Sequence, residues 1–347
     1  MAKRPIYTKQ QAERIIFNAV YDAREFAAVD HLDRPDFFVF PHGSHQSAFG
    51  VEITEVYEDE SNARLQNIQG YFEDLLAGKP HRHRDDVETL KVETVELISK
   101  EGVVREPITV IMQEVTDRPN LPALVAERIR AKVAQATGYS HDLTHTNLVI
   151  LDRTSRLVSS PPVDEAFAVQ TFLSPDLRTV LSGSGFHEVH LVVRDKNGME
   201  VVRGLRALTM VEAANVFLEA VRTVVGLPFD CSDQDGHLLF ILACERQGLQ
   251  LDYVSGKRGV LAQFGGVQVQ FAESGIRILD AHQIRPDPPS DRPLLGIDSD
   301  IAERIIHEYI GFTTSHEFSC AWGAPAKLSF AWSRADLGIS IPEQPEE

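Results

Sequence analysis

Two carboxylates set the chemistry open to this chain. Asp36 ends the run Asp33-Arg-Pro-Asp36, just before Phe-Phe-Val-Phe40, and Glu52 lies inside Ala48-Phe-Gly-Val-Glu-Ile-Thr-Glu-Val-Tyr57. Between the two apolar runs stands His42-Gly-Ser-His-Gln-Ser47, rich in turn formers, so the stretch reads as a β-hairpin. With the turn centred near Ser44, residues whose numbers sum to about 88 face each other, which sets Asp36 opposite Glu52. Side chains alternate along a strand, so Phe49, Val51 and Ile53 share one face while Gly50, Glu52 and Thr54 share the other. Two carboxylates held across a hairpin suit a hard divalent cation.

Three further polar residues fall on apolar faces of predicted helices. Glu13 lies in a helix from about Lys9 to Val29, on the side of Ile16, Phe17 and Val20. An acid in a first helical turn is also favoured there by the helix dipole alone. Gln69 falls within the stripe Leu65, Ile68, Phe72, Leu75 and Leu76 of a helix predicted over Asn62–Ala77, where a buried amide needs a partner. Lys132 shares one face with Val125, Ile129 and Ala136 in a helix over Leu121–Thr137. A lysine so placed ordinarily carries its ammonium out to water along its methylene stem.

Around these residues the chain reads as helix, hairpin, helix, two strands (89–99 and 103–115), helix, strand (147–152), helix and strand (186–194). That order predicts an α/β sandwich built on one mixed sheet. After the turn Lys196-Asn-Gly198 the pattern changes to helices over 211–225 and 236–247, then four short strands near 249–254, 259–264, 267–271 and 276–280. Their spacing predicts an antiparallel meander, and one more helix follows over 299–309. The reading is therefore two domains, 1–198 and 199–347, the second α+β.

The composition bounds the partners. A 347-residue chain of 43% hydrophobic content has an ordinary globular makeup, and no apolar run is long enough to span a bilayer. The N-terminal Met-Ala-Lys-Arg-Pro lacks the apolar stretch of a secretion signal. Cys231, Cys244 and Cys320 form no metal-type pair, so the expectation is a cytoplasmic protein with buried thiols. Net charge is −17, with −9 in residues 1–200 and −8 in the remainder, so neither half is a basic nucleic-acid module in bulk. Other patterns fail on spacing. In the acidic stretch Asp230–Gly236 the first and twelfth positions of a calcium loop would be Cys231 and Leu242. His187 and His190 point to opposite faces of a strand, and Leu181-Ser-Gly-Ser-Gly185 lacks the lysine of a phosphate loop.

Residues 9–195 resemble the PD-(D/E)XK nuclease-like superfamily, the restriction-endonuclease-like fold, through Pro35-Asp36 and Glu52-Ile53-Thr54. The resemblance implies a mixed sheet flanked by helices and hydrolysis of nucleic-acid phosphodiesters, most simply DNA, with Mg²⁺ or Mn²⁺. It implies that Asp36, Glu52 and the Ile53 carbonyl hold the metal, with Glu13 completing the shell, in a setting such as bacterial antiphage defence. In the family a lysine follows the second carboxylate by two positions, and here that position is Thr54. Lys132 is the candidate to supply the missing charge, and Gln69 to orient water or substrate. Without them the domain is a catalytically inactive nuclease-fold protein that binds nucleic acid or protein. The shared acidity favours a role for the C-terminal domain in binding a protein partner or a second copy of the chain.

Overall fold

The computed structural model describes residues 8–43, 48–96, 107–113, 121–136, 138–139, 143–154, 174–194, 200–226, 233–256, 259–272, 275–280, 296–314, 331–332 and 339–340. The chain divides into two compact units, one of Met1–Glu55 with Leu121–Glu347 and one of Val56–Asn120. This division does not coincide with the expected boundary at residue 198. The strand just beyond it (Glu200–Gly204) pairs antiparallel with Val189–Arg194 and so extends the main sheet.

The larger unit is mixed α/β. Helix α1 (Lys9–Val20) opens on a capping box, with Thr8 accepting from the Gln11 N–H and Gln11 accepting from the Thr8 N–H. It ends at Val20, short of the predicted Val29. Tyr21 is already extended, and Phe26–His31 forms a strand, β1, whose first four residues fall within the predicted helix. The apolar spacing of Phe26 and Ala27 fits either period. What decides it is pairing: β1 runs antiparallel to β2 (Phe37–Pro41), with Val29 opposite Val39 and His31 opposite Phe37. Strand β3 (Phe49–Val56) pairs antiparallel with β2, matching Phe37 with Val51, Phe38 with Gly50 and Val39 with Phe49. Each pair sums to 88, the register implied by a turn near Ser44.

The unit-two strands are β4 (Leu90–Val95) and β5 (Ile108–Gln113). The main sheet continues with β6 (Thr146–Asp152), β7 (Val189–Arg194) and β8 (Glu200–Gly204), in the order β1-β2-β3-β6-β7-β8. β6 and β7 are parallel, so the sheet is mixed. On one face α1 buries Ile16, Phe17, Ala19 and Val20 against Phe37, Val39, Phe49, Val51, Ile53, Val149, Leu151 and Val192. Burying each large side chain there contributes about 1.5–3 kcal/mol, which anchors α1 on the hairpin.

Helix α5 (Leu121–Ala136) packs with α6 (Pro175–Gly183), whose first turn opens on Pro175 after the Ser174 cap. Helices α7 (Leu205–Val225), α8 (Asp233–Arg246) and α9 (Ser299–Thr314) pack together. The meander is present as β9 (Asp252–Gly256), β10 (Gly259–Phe264), β11 (Val267–Ala272) and β12 (Gly275–Asp280), every neighbour antiparallel. A short pair, β13 (Ala331–Trp332) and β14 (Ile339–Ser340), completes the described strands. Among the described residues no helix is long and apolar enough to cross a membrane.

The unit Val56–Asn120 has its own small core of Tyr71, Leu75 and Leu90, packed by Leu65, Ile68, Val92 and Ile111. Its helices are α2 (Glu60–Asn67), α3 (Tyr71–Leu76) and the single turn α4 (Asp86–Thr89). β4 and β5 form its antiparallel hairpin. The helix predicted over 62–77 is thus two helices. Gly70 adopts φ +72 between them, a left-handed conformation that ends one helix and starts the next at another angle.

Candidate active site

Asp36 is positioned by backbone. Leu32 N–H donates to the Asp36 carbonyl at 2.8 Å, closing the bend before β2. The Asp36 carboxylate then crosses the hairpin and accepts the Ile53 N–H at 2.7 Å through Oδ2. Ile53 therefore meets the site through its amide, while its side chain lies in the core under α1. Asp36 and Glu52 are each 5% exposed, an unusual degree of burial for two acids.

Gly50 makes this approach possible. A Cβ there would stand 2.6 Å from Pro35 Cγ and 2.8 Å from Leu143 Cδ1, so any side chain would push Pro35, and with it Asp36, off β3. The start of β3 is held from its other edge as well. Thr144 N–H donates to the Ala48 carbonyl and Gly50 N–H to the His145 carbonyl, both at 2.9 Å.

The positive charge comes from α5. Lys132 Nζ lies 2.5 Å from Glu52 Oε1, an ion pair spanning 80 residues of sequence. Its ammonium is turned inward, with the side chain 17% exposed, instead of running out to water. The second oxygen, Glu52 Oε2, is buried and makes no hydrogen bond of good geometry among the described residues. Thr54 is buried on the same strand and carries no charge. Asp36, Glu52 and Lys132 are thus brought together from two strands and one helix.

Burial, then the neighbouring charge of Glu52, pushes the Asp36 carboxyl up to about 6, against the pull of the Ile53 N–H and of Lys132. Tyr139, three residues past the end of α5, was not singled out in the sequence. Burial first, and then the charge of Glu52 and a hydrogen bond toward its carboxylate, pushes the buried phenol up. The only sequence signal for it was its place just after the predicted helix stop at Gly138, which marks a turn and names no role.

Glu13 is buried on α1, but its oxygens are engaged elsewhere. Oε2 is 2.8 Å from His31 Nε2 on β1, and Oε1 is 3.3 Å from Lys9 Nζ. It reaches Asp36 only as a weaker through-space repulsion. Gln69 is not on a helix: it is exposed in the turn between α2 and α3, within the other unit. The split at Gly70 removes the helical geometry on which its predicted inward aim depended. Among the described residues no three His, Cys, Asp or Glu side chains gather as a metal-binding group.

The donor set can still be tested against a small hard cation. Mg²⁺ is commonly held by one or two carboxylates, with waters and substrate oxygens filling the rest of its octahedron. Asp36 has one oxygen beyond its bond to Ile53, and Glu52 has the buried Oε2 beyond its pair with Lys132, with the Tyr139 phenol beside that carboxylate. Two neighbouring carboxylates with an oxygen each beyond those bonds fit such an ion; among the described residues no three-carboxylate cage including Glu13 forms. Comparison with protein-family models, with curated proteins and with solved structures found no match for this chain.

Proposed function

We propose that this protein is a metal-dependent nuclease that hydrolyses phosphodiester bonds, with DNA as its substrate, on a restriction-endonuclease-like core of the PD-(D/E)XK type. One observation carries the reading: Lys132 reaches Glu52 at 2.5 Å from a helix 80 residues away, beside an Asp36 pinned across the hairpin. A lysine normally two positions past the second carboxylate would then be replaced by one arriving from α5. The order α1, β-hairpin, α5, β6 supports the same fold assignment.

Asp36 and Glu52 would hold Mg²⁺ or Mn²⁺ through the oxygens they do not spend on Ile53 and Lys132. Bound there, the ion supplies Lewis acidity toward the phosphate and a more acidic water. Lys132 places a cation where negative charge grows on the phosphoryl oxygens as the water adds. Its pair with Glu52 holds that ammonium in place before substrate arrives, which lowers the reorganisation needed in the transition state. The Tyr139 phenol keeps its proton in this field and can donate a hydrogen bond to a phosphate oxygen.

A second reading has its own observation. The Glu52–Lys132 pair already neutralises the charge that a cation would offset, and Thr54 adds none. On that reading the chain is a catalytically inactive nuclease-fold module that binds nucleic acid or a protein, including a second copy of itself.

Plasmid degradation in Mg²⁺ or Mn²⁺ separates the two. The nuclease reading expects cutting by the wild type, its loss in Asp36→Ala and Glu52→Ala, and a drop of about 100-fold or more in Lys132→Met. Cutting that survives both carboxylate substitutions rejects this site. No cutting under any condition, with DNA binding retained, selects the inactive module.

A further inference from the structure

The larger unit contains a cavity of 720 Å³ that the proposed nuclease chemistry does not use. Its wall includes Arg206, His145, His187, Glu245, Gln250 and Asp252. The volume lies in the range of small-molecule sites, roughly 300–1,000 Å³.

Arg206, at the start of α7, is 3% exposed and makes no ion pair with a carboxylate among the described residues. Its Nη2 donates to the Leu181 carbonyl at 2.6 Å and to Ser184 Oγ at 3.0 Å, and its guanidinium lies 4.6 Å over the Phe264 ring. Among the described residues Nε is buried without a partner and Nη1 makes no hydrogen bond. The nearest buried acid, Glu188, offsets the charge only through space. Its oxygens are committed to the backbone N–H groups of Val189, Arg206 and Ala207. Burial pushes the guanidinium down to about 10, which leaves it charged at neutral pH. A buried cation balanced only through space can still take an anion in direct contact.

The surroundings are built closely around this group. A Cβ on Gly265 would stand 2.7 Å from Arg206 Cζ, and one on Gly266 would overlap the His187 ring. The turn between β10 and β11 therefore carries two residues without side chains where it crosses Arg206 and His187. Gly266 N–H is tied to the His187 carbonyl at 2.6 Å. The His187 ring lies 4.0 Å from that of His145, and both residues line the same cavity. Elsewhere on the wall Glu245, Gln250 and Asp252 are exposed and offer acceptors.

We propose that this cavity binds a phosphate monoester of mononucleotide size. Its phosphate pairs with Arg206, and its hydroxyl or amino groups donate to the acidic wall. Charge-assisted bonds from a guanidinium suit phosphate geometry, and a bare phosphate would leave most of the volume unfilled. The cavity wall at Thr144 and His145 also hydrogen-bonds the start of β3, which carries Glu52. The binding claim stands whether or not the carboxylates cut DNA.

The test is calorimetric titration of the full chain with adenosine 5′-monophosphate, ribose 5-phosphate, adenosine and inorganic phosphate. Saturable binding of both phosphate monoesters is expected, with adenosine binding weakly and phosphate competing. Arg206→Gln should weaken binding about tenfold or more, the loss of one charge-assisted bond. Because that substitution alters a buried group, Gln250→Trp provides a second arm. It fills the cavity from its exposed wall and should block the monoesters while the thermal melt stays unchanged. Three results would each overturn the proposal: no binding of either monoester at about 10 mM, adenosine binding as well as its monophosphate, or binding untouched by Gln250→Trp.

Discussion

Asp36 is the residue whose chemistry the fold alters most. Its carboxyl is raised from 3.8 to about 6, so the folded chain holds a proton there that the unfolded chain has released. Folded protein then binds more protons than unfolded between those two values, and the Asp36 contribution to stability falls as pH rises from about 4 to about 6. Above that window the charge on buried Asp36, beside Glu52, is a standing cost of the kind active sites carry. Asp36→Asn keeps an acceptor for the Ile53 N–H and removes the charge. It should stabilise the protein by roughly 1–2 kcal/mol at pH 8, with little gain at pH 4, while abolishing the proposed nuclease activity. Urea melts at the two pH values measure this, and equal effects at both would rule out charge repulsion as the cause. Of these residues the sequence marked Asp36, Glu52 and Lys132 through hairpin and helix periodicity. Tyr139 could not be found that way, because a residue in a turn has no period to betray its direction.

At the scale of elements, β3 is the member on which the site depends. It pairs with β2 in the register that places Asp36 opposite Glu52, and it accepts β6 on its other edge. Gly50 is where these contacts crowd, with Pro35 on one side and Leu143 on the other. Gly50→Ala should cost about 1–3 kcal/mol through overpacking and shift Asp36 away from Ile53. Its signature is a lower melting temperature together with a drop in the proposed nuclease turnover larger than the loss of folded protein explains. Unchanged turnover would show that β3 tolerates the displacement. The hairpin was legible because two short-range signals agreed, a polar turn and a period of two on both sides. The end of α1 was not. Phe26 to His31 satisfies helix and strand spacing alike, and only the neighbouring β2 selects the extended form.

For the whole molecule, the two compact units carry separate cores. Asp86 lies at the centre of the smaller one, fully buried, taking Arg64 at 2.7 Å and the Tyr71 hydroxyl at 2.6 Å. Burial alone would raise its pKa, but the bonds from Arg64, Tyr71 and Ser61 outweigh it and hold the carboxyl below its ordinary value. Its contribution to stability is therefore present at neutral pH and lost as pH falls below the ordinary carboxylate value. Asp86→Ala should destabilise the unit Val56–Asn120 by about 2–3 kcal/mol, leaving Arg64 short of its partner. Hydrogen exchange should quicken across α3 and β4 and stay unchanged across α1 and β3. Matching acceleration in both units would mean that they unfold together.

Local spacing alone determined the β2–β3 hairpin, its register, the meander and the inward face of α5, because each follows from side-chain period within one element. It also put Asp36 opposite Glu52, since a hairpin register is a local property. Only the tertiary structure decided that Lys132 meets Glu52, that Glu13 turns to His31, and that Gln69 sits in a turn of the other unit. The first two outcomes rest on contacts between residues far apart in sequence, while the turn at Gln69 follows the left-handed Gly70 beside it. A helical period can say which way a side chain faces, but it cannot say what stands opposite.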